Sequence, residues 1–267
     1  MASQTTATDP TPTTGTGNAR FNTDAANWDS NPSIQLATSL AFESYLSRLP
    51  PPSELSSFNV LEIGCGTGLL SLLLAPHVRS LTAVDAAEGM IDVLTHKLSS
   101  VGSHAQIKNV RPVACLLEDP EDPIIKIDPV TGEAWDGNMK FDLVISHLVL
   151  HHVADLSALF KTIYGTLKPS STHGHQKGGG RVITTDFENF GPEARRFHPE
   201  AKMEGVERHG ITKEEMEGVL KGVGFEEVKV ERGFVMQKRV ESEPGKGDME
   251  RGPVVEFPFL VCEGRRV

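Results

Sequence analysis

The sequence predicts an α/β fold: a doubly wound sheet of about seven strands, mostly parallel, ending in an antiparallel C-terminal hairpin. Three observations carry this. Short apolar runs alternate with helical patterns between Phe58 and Thr185, the mark of βαβ units whose strands are covered on both faces. A glycine-rich turn links the first of these strands to the helix behind it. The last two strand-like runs, Phe225 to Val230 and Val254 to Val261, are separated only by a polar stretch, and strands without a crossover helix pair antiparallel.

Each element follows in order. Met1 to Gly17 is rich in Thr, Pro and Gly and has no large apolar residue after Met1. Burial cannot offset its ordering entropy, so residues 1–20 are expected to form a disordered tail before a single domain over 21–267. Ile34, Leu36, Ala37, Leu40, Ala41, Tyr45 and Leu49 recur at mostly helical spacing, and Pro50 to Pro52 stop that helix. Phe58 to Ile63 is a buried strand, Leu69 to Leu74 opens a helix, and Ser80 to Val84 is a second strand followed by a helix from Ala87 to Leu98. Val110 to Leu117 and Phe141 to Ser146 are the third and fourth strands, Ala154 to Leu167 a helix, and Arg181 to Thr185 the fifth strand. Thr212 with Glu215 is a capping box for a helix reaching Val223. Glu118 to Lys140, acidic and turn-rich, and Pro169 to Gly180, rich in Ser, His and Gly, are insertions expected to be mobile surface loops.

Composition narrows the function classes. The chain has 267 residues and a formal charge of -10, which disfavours nucleic acid or an anionic membrane as the main partner. Three cysteines without a CxxC pair do not form a disulfide framework, and no apolar run is long enough to span a bilayer. The first residues lack the basic start and apolar stretch of a secretory signal, so a cytoplasmic protein is expected, with the nucleus open.

The strongest motif is Val60-Leu61-Glu62-Ile63-Gly64-Cys65-Gly66-Thr67-Gly68-Leu69-Leu70. Glycines at alternate positions let the backbone turn tightly and approach a ligand without Cβ clashes, and the helix that follows offers free N–H groups. Val84-Asp85 ends the next strand, where a carboxylate can accept both hydroxyls of a ribose. Each piece alone also fits a plain tight turn beside a solvent-facing aspartate; the two together favour a nucleoside cofactor. A dinucleotide loop needs a third glycine where Leu69 stands, and Gly68 falls one residue early.

This pattern, with Glu62 ahead of the first glycine, resembles motif I of class I S-adenosylmethionine (SAM)-dependent methyltransferases, a Rossmann-like family. The resemblance runs from about Phe21 to the C-terminus. It implies SAM as cofactor, with Gly64, Cys65, Gly66, Thr67 and Gly68 around its methionine part and Asp85, followed by Ala86, at the ribose. Met90 would pack on the adenine, and Leu117 with Glu118 or Asp119 would meet its edge, although Leu117-Glu118-Asp119-Pro120 departs from the family's Asp-led pattern. Phe21…Ala25-Ala26-Asn27-Trp28-Asp29 is similar to the entry segment of the ubiquinone/menaquinone-methyltransferase-like branch (methyltransferase type 11/25), where it covers the cofactor. Trp28 fits that role or ordinary packing.

Phe141 to Val153 resembles motif IV of the same branch, which places Ser146 and His147 between sulfonium and acceptor. Methyl transfer from SAM asks the protein to align the acceptor, exclude water and take a proton where one must leave. Histidine suits the last task because it titrates near neutrality. His151 and His152 are therefore candidates for a base or an acceptor-orienting group; the plainer reading has them cap the sheet and touch the cofactor. Asp186, just past the fifth strand, and His198, on the polar excursion 187–211 that follows, fit a carboxylate–imidazole pair or a surface loop. Arg195, Arg196 and Arg208 fit recognition of an anionic acceptor or simple solvation.

Ten histidines raise the question of a metal, since His147, His151 and His152 lie close together in the sequence and the insertion Pro169 to Gly180 adds His173 and His175 as candidates. HExxH and CxxC are absent, and Ser146 and His147 stand where magnesium-dependent catechol-type methyltransferases carry Asp and Asn ligands, so no metal is expected. The amino-group methylating enzymes of nucleic acid and protein share an Asn/Asp-Pro-Pro-Tyr/Phe motif, unlike Ser146-His147-Leu148-Val149. The expected function is methyl transfer from SAM to a small-molecule metabolite. A protein methyltransferase and a non-catalytic SAM-binding partner subunit are the alternatives.

Overall fold

The computed structural model describes residues 16–100, 104, 106–137, 139–170, 179–246 and 251–267. Five parallel strands form the centre: β1 (Asn59–Ile63), β2 (Ser80–Asp85), β3 (Val110–Ala114), β4 (Leu143–His147) and β5 (Arg181–Phe187). The hairpin of β6 (Glu226–Arg239) and β7 (Val254–Arg265) completes a seven-stranded sheet in the order β3-β2-β1-β4-β5-β7-β6, with β7 antiparallel to both neighbours. The strand order reverses between β1 and β4, and the crevice at the carboxyl ends of strands beside such a reversal is where open α/β sheets bind ligands.

Helices cover both faces because the strands are apolar on both. One layer packs α6 (Leu156–Thr166) and α7 (Lys213–Val223) on Leu61, Val144, Val182 and Leu260 through Phe160, Ile163, Met216 and Leu220. The other packs α2 (Pro32–Leu46), α4 (Leu69–Leu74) and α5 (Glu88–Ser99) on Val60, Leu81, Ile145 and Ile183 through Tyr45, Leu74, Ile91 and Leu94. Each such fully buried side chain contributes about 1.5–3 kcal/mol from water exclusion. Local signals fix the ends: Asn31 and Thr212 cap α2 and α7 by accepting from Ser33 and Glu215 N–H, and Gly224 closes α7 in the left-handed conformation. The short helix α3 (Pro52–Leu55) follows the proline stop.

The structure departs from the sequence reading in several places. Residues 16–20, expected within the tail, begin helix α1 (Thr16–Asp24), while 1–15 lie outside the described residues. The third strand ends at Ala114, before Leu117. The 118–140 insertion is pinned to the core, since Ile125 is fully buried and Trp135 packs on Phe141 at 4.9 Å. Of the 169–180 insertion, 171–178 lie outside the described residues, His173 and His175 among them. Finally, β6 continues nine residues past its expected end at Val230, from Glu231 to Arg239. Gly233 makes this possible: a Cβ there would stand 2.3 Å from Val261 Cγ2 and 2.9 Å from Ser44 Oγ, so its absence lets α2 cross close over the hairpin.

Candidate active site

The site opens at the carboxyl ends of β1, β2 and β4 as one cavity of about 890 Å³. At one end the loop after β1 is shaped by its glycines. Gly64, Gly66 and Gly68 all have φ between +53° and +81°, and a Cβ on Gly64 or Gly68 would strike Val149 Cγ2 at 2.2 Å or Leu94 Cδ1 at 2.3 Å. Gly64 and Gly68 thus let the chain pack, whereas a Cβ on Gly66 would meet only Trp28 Nε1, in ordinary contact at 3.7 Å. Asp85 ends β2 with one carboxylate oxygen accepting from Gly66 N–H and the other from Ala87 N–H, both at 2.8 Å. Burial raises the Asp85 pKa, and these two bonds oppose that. Glu62, fully buried, accepts from the Ser71 hydroxyl at 2.5 Å; desolvation pushes its pKa up to about 8.

Met90, Ala86, Leu117 and Glu118 line the same end, with Cys65, Thr67 and Trp28. Gly68 sits behind the loop as the residue that starts α4, not on the cavity wall. Asp119, expected at the adenine edge, is exposed and accepts from Glu121 N–H in a local turn. The entry segment forms a 3₁₀ turn, Ala25–Ser30, tied down by Asp29, which accepts from the Thr67 hydroxyl at 2.5 Å and pairs with Lys97. Asn22 accepts from Gly89 N–H, so α1 covers the opening beside α5.

The other end is a wall of histidines. After β4 the chain turns sharply at Leu148, whose φ of 57° is strained for a bulky residue, into a 3₁₀ turn, Leu150–His152. His151 is buried, and its Nδ1 lies 2.9 Å from both Asp186 oxygens, while its Nε2 has no hydrogen-bond partner among the described residues. The Asp186 carboxyl is held below its ordinary range because the adjacent His151 and two backbone N–H donors outweigh burial. His152 Nδ1 donates to Gly205 C=O at 2.6 Å, and burial followed by the neighbouring His151 pushes its pKa down to about 3. His198 reaches in from the excursion, its ring 4.9 Å from that of His151, and burial lowers its pKa as well. His147 Nδ1 bonds the Thr185 hydroxyl at 2.8 Å, and burial takes its pKa to about 4.

Several expectations are thereby corrected. Asp186 pairs with His151, not with His198, because β5 carries it under the histidine turn, away from the excursion. Ser146 does not reach the cavity: its side chain donates to Ile63 C=O and its own C=O accepts from Tyr45, so it ties β4 to β1. None of the three arginines lines the cavity. Arg195 and Arg196 pair with Glu200 and Glu193, and Arg208 donates to the carbonyls of Leu150, Val153 and Ala154, clamping the histidine turn.

Sequence reasoning missed other wall residues. Lys238, on the unforeseen outer half of β6, lines the cavity over the Phe197 ring; burial lowers its pKa to about 8. Arg20 of α1 lines it too, donates to Lys202 C=O, and has a buried Nε without a partner among the described residues. Lys202 also pairs with Asp24 at 2.8 Å, which joins α1 to the excursion as one roof over the cavity.

Residues 35–230 match a family model described as a methyltransferase domain. The chain belongs to that family. Its strand order and glycine loop are those of a class I domain, and S-adenosylmethionine is the cofactor of this family. An uncharacterized methyltransferase of Schizosaccharomyces pombe is 27% identical over 159 residues, covering 58% of this chain and 48% of that protein. A ubiquinone biosynthesis O-methyltransferase of Coxiella burnetii is 30% identical over 132 residues, covering 49% of this chain and 45% of the other. The chain thus spans about half the length of the curated relatives it matches. The solved complex of DhpI with S-adenosylhomocysteine (SAH) shares the fold at a TM-score of 0.56 and 18% identity, over 94% of this chain and 95% of that one. A possible histamine N-methyltransferase of Thermotoga maritima gives 0.54 and 18%, over 94% and 100%.

The methyltransferase cavity fits that cofactor by its own chemistry. Gly66 brings backbone without a Cβ to the cavity, the Asp85 carboxylate is held in place by two backbone donors, and Met90 adds an apolar side chain to the lining. No helix among the described residues is long and apolar enough to cross a membrane.

Proposed function

We propose that this domain transfers a methyl group from SAM to a small-molecule metabolite held against the histidine wall. The observation that carries the reading is the roofed cavity itself. One continuous space runs from the glycine loop to His151, His152 and His198, under α1 and the excursion, with room for a cofactor and a small acceptor. Such a chamber suits a metabolite better than a polymer, and the formal charge of -10 disfavours nucleic acid.

When bound, SAM supplies an electrophilic methyl group on its sulfonium sulfur. The chain's residues do the rest. Asp85 holds the ribose hydroxyls, Met90, Ala86 and Leu117 enclose the base near Glu118, and Gly64 to Thr67 follow the methionine part with Trp28 above. On the far side, Asp186 fixes the His151 ring through Nδ1 and so sets the direction of its Nε2 lone pair at the wall that orients the acceptor. His152 and His147, unprotonated at neutral pH, complete the wall beside His198, and the roof excludes water.

Incubation with methyl-labelled SAM and a cell extract tests this. Label is expected in a low-mass species. Label in protein or nucleic acid overturns the reading, as does the absence of label when SAH binding is intact.

A further inference from the structure

The wall brings together three imidazoles from two remote segments. One ring nitrogen of His151, of His152 and of His198 lies within 4.8 Å of the others. Their neighbours decide which nitrogens remain. The Asp186 carboxylate and the Gly205 carbonyl can only accept, so in the neutral rings Nδ1 of His151 and of His152 carries the hydrogen and Nε2 keeps a lone pair. His151, only 2% exposed, lines the cavity and has a buried Nε2 without a hydrogen-bond partner among the described residues. A carboxylate behind an imidazole whose far nitrogen is left open is the arrangement that orients metal-ligating histidines.

We propose that His151, His152 and His198 form a binding site for a divalent transition metal of the zinc type, with a fourth position open to the methyl acceptor. Three imidazoles and one open position match a reactive zinc centre better than a closed structural one. Asp186 supplies one compensating negative charge. Arg20 and Lys238, on the same cavity, oppose a bare dication and so favour a fourth ligand that binds as an anion, such as a phenolate, alkoxide or thiolate. The acceptor's place at the metal rests on the function proposed above; the metal site itself does not.

Chelator-treated full-length protein titrated with Co²⁺ tests it. One equivalent is expected to bind with visible ligand-field bands of a four- or five-coordinate ion, and Zn²⁺ to displace it. His198→Ala is expected to weaken Co²⁺ at least about 100-fold, and Asp186→Asn about 10- to 100-fold. His198→Phe keeps a ring against Phe197 without a nitrogen and guards against misfolding, which circular dichroism reports. No Co²⁺ or Zn²⁺ binding overturns the site, and so does binding that both His198 variants leave unchanged. SAH binding measured on the same samples separates the two ideas: its loss in the wild type sinks the proposed function and leaves the metal result standing.

Discussion

The two ends of the cavity are built in opposite ways. The cofactor end comes largely from one strand–loop–helix and the strand beside it, residues 60–90, and much of it is backbone: positive-φ glycines and N–H groups around one carboxylate. The acceptor end is made of side chains from α1, the turn after β4, the end of β5, the excursion and β6, held by Arg208, Asp186 and Lys202. A backbone-built site depends on local conformation. A side-chain wall depends on remote segments arriving together, which leaves its chemistry free to change while the other end stays fixed.

Variants break or sharpen that contrast. The largest effect is expected from Glu62→Gln, on the order of a few kcal/mol. The folded pKa of Glu62 is raised from 4.5 to about 8, so its stabilising contribution is full below pH 4.5 and is lost as pH rises through 8. Glu62→Gln therefore gains stability over wild type from pH 5 to 8 and levels above; parallel denaturation midpoints at both pH values contradict this. Gly64→Ala should cost about 2–4 kcal/mol, from the left-handed backbone and the overlap with Val149. An unchanged denaturant midpoint removes the claim that backbone geometry builds this end.

His151→Ala should lower kcat about 100-fold while SAH affinity changes little. If SAH affinity alone suffers, the histidines belong to the cofactor end. Asp85→Ala should weaken SAH about 10- to 100-fold by calorimetry, the range of a charge-assisted hydrogen bond. Smallest is Asp29→Ala, a partly exposed partner of Lys97, expected to weaken SAH by no more than about fivefold. A larger loss makes the 3₁₀ turn a principal part of the cofactor site.

Local patterning in the sequence determined the alternating elements, the capping box at Thr212, the glycine loop with Asp85, and the hairpin as the last element of the sheet. These are short-range features: apolar periodicity, turn chemistry and a spacing of about twenty residues express themselves wherever the chain folds. Tertiary structure decided the rest. Asp186 and His198 were visible as candidates, but which imidazole each meets depends on β5 running beneath the turn after β4. Lys238 was invisible because β6 passes its glycine, and that passage depends on α2 crossing above it. Arg208 reads as a loop arginine until Leu150, Val153 and Ala154 present their carbonyls to it. In each case the partner lies dozens of residues away, and only packing brings the two groups within reach of a hydrogen bond.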